Sequence, residues 1–323
     1  VTRVLVLGGG PDAEREISIA SAEGVHQGCI DAGLNASLMI VDTPSVEEIR
    51  SWDAQVIFPV LHGKFGEGGA LQRRLETAGV RFVGTGAAGA SLAMDKLATK
   101  LAASRLGIPT PASCVLDGSM LLSGREAWSP IEVPFVVKPV QDGSSVGLHI
   151  CKSEDDWVRA QEQVRVDIES NPQRAYMIEQ FTPGRELTAS VITDPENAER
   201  LRVLPLIEIA PKQGVYDFEA KYERSDTVYT VEPELEAETA RAIRSQTLRI
   251  CVALGVRHLA RADFILGSDG AWDMLEVNTM PGFTATSLLP KAADAIGLNM
   301  PMLCEHLVRS AQREIEAIST PAR

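Results

Sequence analysis

The sequence predicts a mixed architecture, α/β in its N-terminal part and α+β beyond, shared among two or three domains. Three observations carry this. The 323 residues exceed what one hydrophobic core usually organises, roughly 100–200. Up to about residue 106, short apolar runs alternate with helical patterns, the rhythm of a parallel sheet with crossover helices. Past the break Gly107-Ile108-Pro109-Thr110-Pro111, strand patterns follow one another directly.

Taken in order, the N-terminal part predicts strands over 4–7, 38–41, 56–61 and 80–83. Between them lie a helix with the stripe Ile17/Ala20/Gly24/Val25/Gly28, a helix on Leu71/Leu75/Ala78, and a single helix over 91–106. After the break come a strand over 133–137, a Gly/Ser loop over 142–147 and a strand over 148–151, a hairpin-like unit. Ser153 and Asp156 form a capping box for a helix with the stripe Trp157/Ala160/Val164/Ile168. Strands over 176–181, 186–192 and 202–210 lead to residues 211–231, which lack a period. That stretch holds Tyr216, Phe218, Tyr222 and Tyr229 with two lysines, the composition of an ordered covering loop. A helix over 236–254, a two-stranded unit around Gly267-Ser268-Asp269-Gly270 and two helices complete the chain.

The composition, 45% hydrophobic and 23% charged, is that of a soluble globular protein. A net charge of −13 argues against nucleic-acid or anionic-membrane surfaces, while leaving room for a local basic pocket. Cys29, Cys114, Cys151, Cys251 and Cys304 form no CxxC pair and read as reduced packing residues. The opening Val1-Thr2-Arg3-Val4-Leu5-Val6-Leu7 runs straight into glycines without a long apolar segment, so a cytoplasmic location is expected.

The strongest chemical signal is the strand pair over 259–266 and 273–278. Alternation places Arg261 and Asp263 on one face, and Glu276 and Asn278 on one face opposite Leu275 and Val277. If the turn pairs the strands, three oxygen donors and a guanidinium meet, a set suited to a hard cation holding phosphates. Spacing alone describes a solvent-facing amphipathic hairpin equally well. The following Met280-Pro281-Gly282 turn adds backbone N–H groups that could stabilise an oxyanion. Lys138 precedes Gln141-Asp142-Gly143-Ser144-Ser145-Val146-Gly147, a loop able to cover phosphates with amides but lacking the Walker pattern. Gly8-Gly9-Gly10 falls short of a dinucleotide fingerprint, and Glu14 suits a helix start. His62, at a strand end, reads as a scaffold residue.

Together, Gly8-Gly9-Gly10-Pro11-Asp12-Ala13-Glu14-Arg15-Glu16, the His62 motif, Met94-Asp95-Lys96, Lys138 to Gly147, Tyr216 to Tyr222 and Arg261 to Ser287 resemble the D-alanine–D-alanine ligases of the ATP-grasp superfamily over nearly the whole chain. The resemblance implies a three-domain ATP-grasp fold: an N-terminal α/β domain over 1–107, a central domain over 108–192 and a C-terminal domain over 193–323, with ATP between the last two. It implies that Lys96 and Lys138 contact phosphates, that Gly143, Ser144 and Ser145 fold over them, and that Glu179, Gln180, Phe181, Thr182 and Glu186 meet adenine and ribose. Asp263, Glu276 and Asn278 would hold two magnesium ions, for which manganese can substitute. Glu14 would anchor the first D-alanine ammonium. Ser287 and Lys221 would stand near the carboxylate of the second D-alanine, and Arg261 with the Gly282 amide would stabilise the tetrahedral intermediate. Ser144 and Tyr222 would tie the two loops to Glu14. A homodimer is also implied.

The implied reaction has the first D-alanine carboxylate attack ATP, giving D-alanyl phosphate for the second amine. Tyr222 favours an amine nucleophile, since related ligases accepting a hydroxy acid resemble this family with His there. Gly68 and Met280 depart from the familiar Asp and Ser or Leu, which bears on the first-substrate pocket. Two other readings are distinguishable: a ligase ending its product in D-serine or D-lactate, and a nucleotide-binding regulator that forms no dipeptide.

Overall fold

The computed structural model describes residues 1–116, 131–143, 146–211 and 227–318. Strands β1 (Arg3–Gly9), β2 (Asn35–Val41) and β3 (Val56–Pro59) form a parallel N-terminal sheet in the order β2-β1-β3. Parallel neighbours need crossovers, supplied by α1 (Arg15–Asp31) and α2 (Val46–Ser51). The strand expected over 80–83 reduces to one parallel bridge, Ile57 to Phe82. Gly79 and Gly84, both at positive φ, bound the extended run and leave it too short for a ladder.

The buried face of α1 is Ser18, Ser21, Ala22, Val25, Gly28 and Cys29, so the expected stripe beginning at Ile17 and Ala20 is corrected. Close approach explains the small residues. A Cβ on Gly24 would lie 2.7 Å from the Phe283 carbonyl oxygen, and one on Gly28 would lie 2.9 Å from Cys304 Sγ. Ser18 accepts the Gly9 N–H and donates to the Val60 carbonyl, so its polar atom is satisfied inside the core.

Helices α3 (Gly63–Glu67), α4 (Ala70–Ala78), α5 (Ala87–Met94) and α6 (Lys96–Arg105) follow. The single helix expected over 91–106 is therefore two. Asp95 turns extended between them and caps α6 by accepting the Ala98 N–H at 2.9 Å.

The central sheet is antiparallel: β4 (Ser113–Leu116), β5 (Phe135–Pro139), β6 (His149–Cys151) and β7 (Tyr176–Gln180), in the order β4-β7-β5-β6. One face packs Phe135, Val137, Tyr176 and Ile178 on Trp157, Ala160 and Val164 of α7 (Glu154–Ser170). The other presents Val136, Lys138 and Glu179 to a cleft. Ser153 caps α7 by accepting the Asp156 N–H. The Asp156 carboxylate takes the Lys152 N–H and the Ser153 hydroxyl, not the Ser153 N–H that the expected reciprocal box requires.

The C-terminal sheet comprises β8 (Arg185–Thr193), β9 (Leu201–Val203), β10 (Ile207–Ala210), β11 (Val228–Val231), β12 (Leu259–Leu266) and β13 (Trp272–Asn278). Its order is β11-β10-β8-β12-β13, with β9 on β8. The single strand expected over 202–210 breaks at Pro205, which has no N–H to donate. The change of sheet falls between Gln180 and Arg185, ahead of the expected boundary at 192/193, because β8 pairs with β12 along its length.

Leu187, Ala189, Val191, Ala262 and Phe264 pack on Ile243, Ile250 and Cys251 of α8 (Ala237–Ala253). On the opposite side, Ile192, Ile207 and Leu259 join Val6 and Phe58 of the N-terminal sheet. Leu289 of α9 (Leu288–Asp294) and Leu303 and Leu307 of α10 (Met300–Ile318) complete this shared core. The five cysteines are free thiols, and burial pushes Cys251 up to about 12. No helix among the described residues is long and apolar enough to cross a membrane.

Candidate active site

Strands β12 and β13 pair antiparallel, setting Arg261 opposite Asn278 and Asp263 opposite Glu276. The register shifts after Asp263, where Phe264 meets Met274 and Leu275 is left as the extra residue. This corrects the expected alternation. Met274 and Val277 enter the core, whereas Leu275 turns to the cleft beside Glu276.

Asp263 is held from three sides. Arg261 grips it through Nε to Oδ1 at 2.9 Å and Nη2 to Oδ2 at 2.8 Å, Thr188 donates to Oδ1 at 2.7 Å, and Asn278 Nδ2 donates to Oδ2 at 3.2 Å. With its amide nitrogen so engaged, Asn278 retains its oxygen as a donor atom for a cation. Among the described residues no three His, Cys, Asp or Glu side chains gather as a metal site. The candidate set is therefore two carboxylates and an amide, all hard oxygen donors, which fits magnesium or manganese.

These strands form one wall of a cleft holding about 1100 Å³ of empty space, with the central sheet as the other wall. Of the residues expected to meet ATP, Lys96, Lys138, Gly143, Glu179, Gln180, Phe181, Thr182 and Glu186 all border it, together with Asp263 and Glu276. Val136, Leu148 and Ile150 supply an apolar surface suited to a flat base. Lys96 Nζ donates to the Asp142 carbonyl at 2.5 Å and lies 3.7 Å from Glu276. Burial pulls the Lys96 ammonium below its ordinary value, against the attraction of Glu276.

Sequence reading missed the partners of Glu179. Lys138 approaches one carboxylate oxygen at 2.5 Å and Lys100 the other at 2.6 Å. Burial alone would raise the Glu179 carboxyl, but the two ammonium groups outweigh it and hold the carboxyl low. For Lys100, sharing one carboxylate does not offset burial, which lowers its ammonium. The Lys96/Lys100 spacing puts both lysines on one helical face but does not by itself point to Glu179. Thr188 and Arg174 were also missed. Arg174 ties Asp142, at the start of the Gly/Ser loop, to Asp167, which also accepts the Tyr176 hydroxyl.

A second pocket of about 750 Å³ of empty space adjoins the first through Gly143 and Glu276. Arg261, Asn278, Gly282 and Ser287 border it, as do His62 and Tyr229. Ser287 Oγ accepts the Thr284 N–H at 2.9 Å, and a Cβ on Gly282 would lie 2.8 Å from that oxygen, so any larger residue there would have to displace the Ser287 hydroxyl. Glu14 is buried a layer back, at the head of α1. Its carboxylate reaches within 2.8 Å of a would-be Cβ on Gly63 and 3.0 Å of one on Gly143. His62 Nε2 contacts Ser21 Oγ at 3.2 Å, in keeping with a scaffold role. A Cβ on Gly68 would lie 2.3 Å from the Lys64 carbonyl oxygen, so a larger residue there needs the last turn of α3 to shift. Met280 is buried in the shared core and borders this pocket. Ser144, Ser145, Tyr216, Phe218, Lys221 and Tyr222 lie outside the described residues.

Comparison with known proteins agrees with this geometry. Residues 104–309 match the family model described as D-ala D-ala ligase C-terminus. The chain is 37% identical over 313 residues to the D-alanine–D-alanine ligase of Desulforudis audaxviator (strain MP104C), covering 97% of this chain and 99% of that protein. It is 38% identical over 322 residues to the ligase of the same name from Bordetella pertussis (strain Tohama I), covering 99% and 98%. Among solved structures, the D-alanine–D-alanine ligase from Bacillus anthracis complexed with ATP superposes with a TM-score of 0.78 at 27% identity, covering 99% of each chain. An ATP-grasp architecture with cationic and carboxylate walls facing across one cleft, matched along its length by such relatives, belongs to the D-alanine–D-alanine ligase family.

Proposed function

We propose that the chain joins two D-alanine molecules into D-alanyl-D-alanine for peptidoglycan precursor synthesis, with ATP converted to ADP and phosphate. The observation that carries this is the facing of Lys96 and Lys138 against Asp263 and Glu276, at the point where the cleft opens on the pocket of Arg261, Gly282 and Ser287. ATP fits the first space, with its base on the apolar surface and near Glu179 to Thr182, its ribose at Glu186 and its phosphates between the two walls.

Asp263, Glu276 and Asn278 would hold two magnesium ions, or manganese in their place, which neutralise phosphate charge as the γ-phosphoryl group moves. Glu14, buried a layer behind the second pocket, would anchor the first ammonium by its charge, and Ser287 would meet the second carboxylate with Lys221. The first carboxylate attacks the γ-phosphorus, the bond from that phosphorus to the β,γ-bridging oxygen breaks and ADP leaves, giving D-alanyl phosphate. The second amine then attacks the acyl carbon, and the C–O bond to phosphate breaks. Arg261 and the Gly282 amide would donate to the oxyanion formed in that addition. Ser144 and Tyr222 would close the covering segments over the site and exclude water from the acyl phosphate.

We assign the protein to the cytoplasm as a homodimer, with its domains changing at the linker near residue 107 and between the central and C-terminal sheets. The test is phosphate release from ATP with D-alanine alone, compared with mixtures containing D-serine, D-lactate or L-alanine. Release dependent on D-alanine, with a dipeptide product, is expected. ATP binding without D-alanine-dependent release would contradict the proposal, and preference for D-lactate would move it to a depsipeptide ligase.

A further inference from the structure

Lys100 stands outside both pockets, yet it occupies a junction. It is buried on α6, one helical turn after Lys96, and its Nζ lies 2.6 Å from Glu179. The same ammonium donates to Thr110 Oγ1 at 2.6 Å and to the Pro111 carbonyl at 3.1 Å, both in the linker to the central sheet. Glu179 in turn holds Lys138 at 2.5 Å.

The charge balance of this buried group decides what the cleft presents. A Lys138 paired with Glu179 alone would form a neutral pair with little attraction for a polyphosphate. A second ammonium on the other carboxylate oxygen leaves the cluster one positive charge in excess, in surroundings of low polarity where that charge acts strongly. We infer that Lys100 is a positioning residue for the nucleotide: by occupying one oxygen of Glu179 it leaves Lys138 with net charge for the phosphates, and it anchors that arrangement to the linker. This rests on the reading of the cleft as an ATP site and adds a residue that does not touch ATP. The position of Glu179 follows the same logic. Its carboxylate is shared between two cations, so its geometry is fixed from behind before any base arrives.

The test measures calorimetric affinity for ATP and for adenosine, with magnesium present, in the full-length protein. Lys100→Met is expected to weaken ATP binding about tenfold or more while leaving adenosine within about twofold, because Lys138 still holds Glu179 in place and the lost charge is sensed mainly by the phosphates. Lys100→Arg keeps the charge and should stay within about threefold of the unaltered protein for ATP. Adding Glu179→Gln to Lys100→Met restores the excess positive charge on Lys138, so the double variant should bind ATP more tightly than Lys100→Met. Should Lys100→Met not fold, Lys100→Gln, whose amide can still donate to the linker, carries the same expectations. Equal losses for ATP and adenosine, unchanged ATP affinity, or a double variant weaker than the single one would overturn the role of Lys100. Failure of the unaltered protein to bind ATP would instead overturn the reading of the cleft.

Discussion

The central and C-terminal sheets face each other across the same cleft but are built and charged differently. The central sheet packs on one side against α7, in a core that includes Phe135, Val137, Trp157 and Ile178, and its other side is the cleft wall. The C-terminal sheet is braced by α8 and, toward the N-terminal sheet, by a core that also takes in α9 and α10. Cations line the first wall, through Lys138 backed by Lys100 and flanked by Lys96. Carboxylates line the second, through Asp263 and Glu276. The lesson is a division of labour: a well-braced wall fixes the candidate metal donors, and a separately cored wall sets positive charge opposite them.

Removing a candidate metal donor from the braced wall should have the largest effect. Glu276→Ala is expected to lower kcat/KM about a thousandfold at saturating magnesium, with the thermal midpoint within about 3 °C, because a part-exposed functional carboxylate contributes little to packing. Near-normal turnover in a phosphate-release assay would remove Glu276 from the metal set.

The two cores can be separated by truncating one ring in each. Phe135→Ala and Phe264→Ala should each cost about 3–5 kcal/mol, since both side chains are fully buried. Hydrogen exchange read by mass spectrometry should show lost protection confined to the central sheet and α7 for Phe135→Ala. Phe264→Ala should spread the loss across β8, β12 and α8. Identical patterns would erase the distinction.

Glu179→Gln leaves two buried lysines without their counter-ion, at a cost of about 3 kcal/mol near neutral pH. The sign with pH follows from the carboxyl, whose burial is outweighed by Lys138 and Lys100 so that it sits below the ordinary 4.5. Its ionisation stabilises the fold fully above that ordinary value and loses its contribution as pH falls through the lowered one. Urea titrations should therefore show the deficit of the variant shrinking below about pH 4.5; a constant deficit would contradict the pairing.

The smallest effect belongs to a support of the metal wall. Thr188→Val removes the hydroxyl that donates to Asp263 and should weaken manganese binding about tenfold, measured by electron paramagnetic resonance. No change would mean that Arg261 and Asn278 alone orient the carboxylate.

Much of this could be read before any coordinates. Apolar runs with crossover helices announced the parallel N-terminal sheet, and Arg261, Asp263, Glu276 and Asn278 announced the polar face because strand alternation is a rigid rule. The rule failed where Met274 and Leu275 stand side by side before Glu276, two apolar residues in a row that mark the bulge. The break at Asp95 was hidden because helical patterns continue on both sides of a capping residue, although Met94-Asp95-Lys96 carried the sign. Lys100 was hidden for a different reason. A lysine at helical spacing from another lysine reads as a solvated face, and only the tertiary fold brings Glu179 to it. Long-range pairings of this kind have no local signature, whereas periodicity does.

In the proposed reaction the two walls together transfer a phosphoryl group to a D-alanine carboxylate before the peptide bond forms. The direct measurement uses D-alanine carrying oxygen-18 in its carboxylate as the only amino acid, with mass spectrometry of the phosphate released. Phosphate carrying one labelled oxygen per turnover, alongside D-alanyl-D-alanine, is the predicted result. Unlabelled phosphate with the dipeptide formed, or ATP cleavage with no dipeptide, would contradict it.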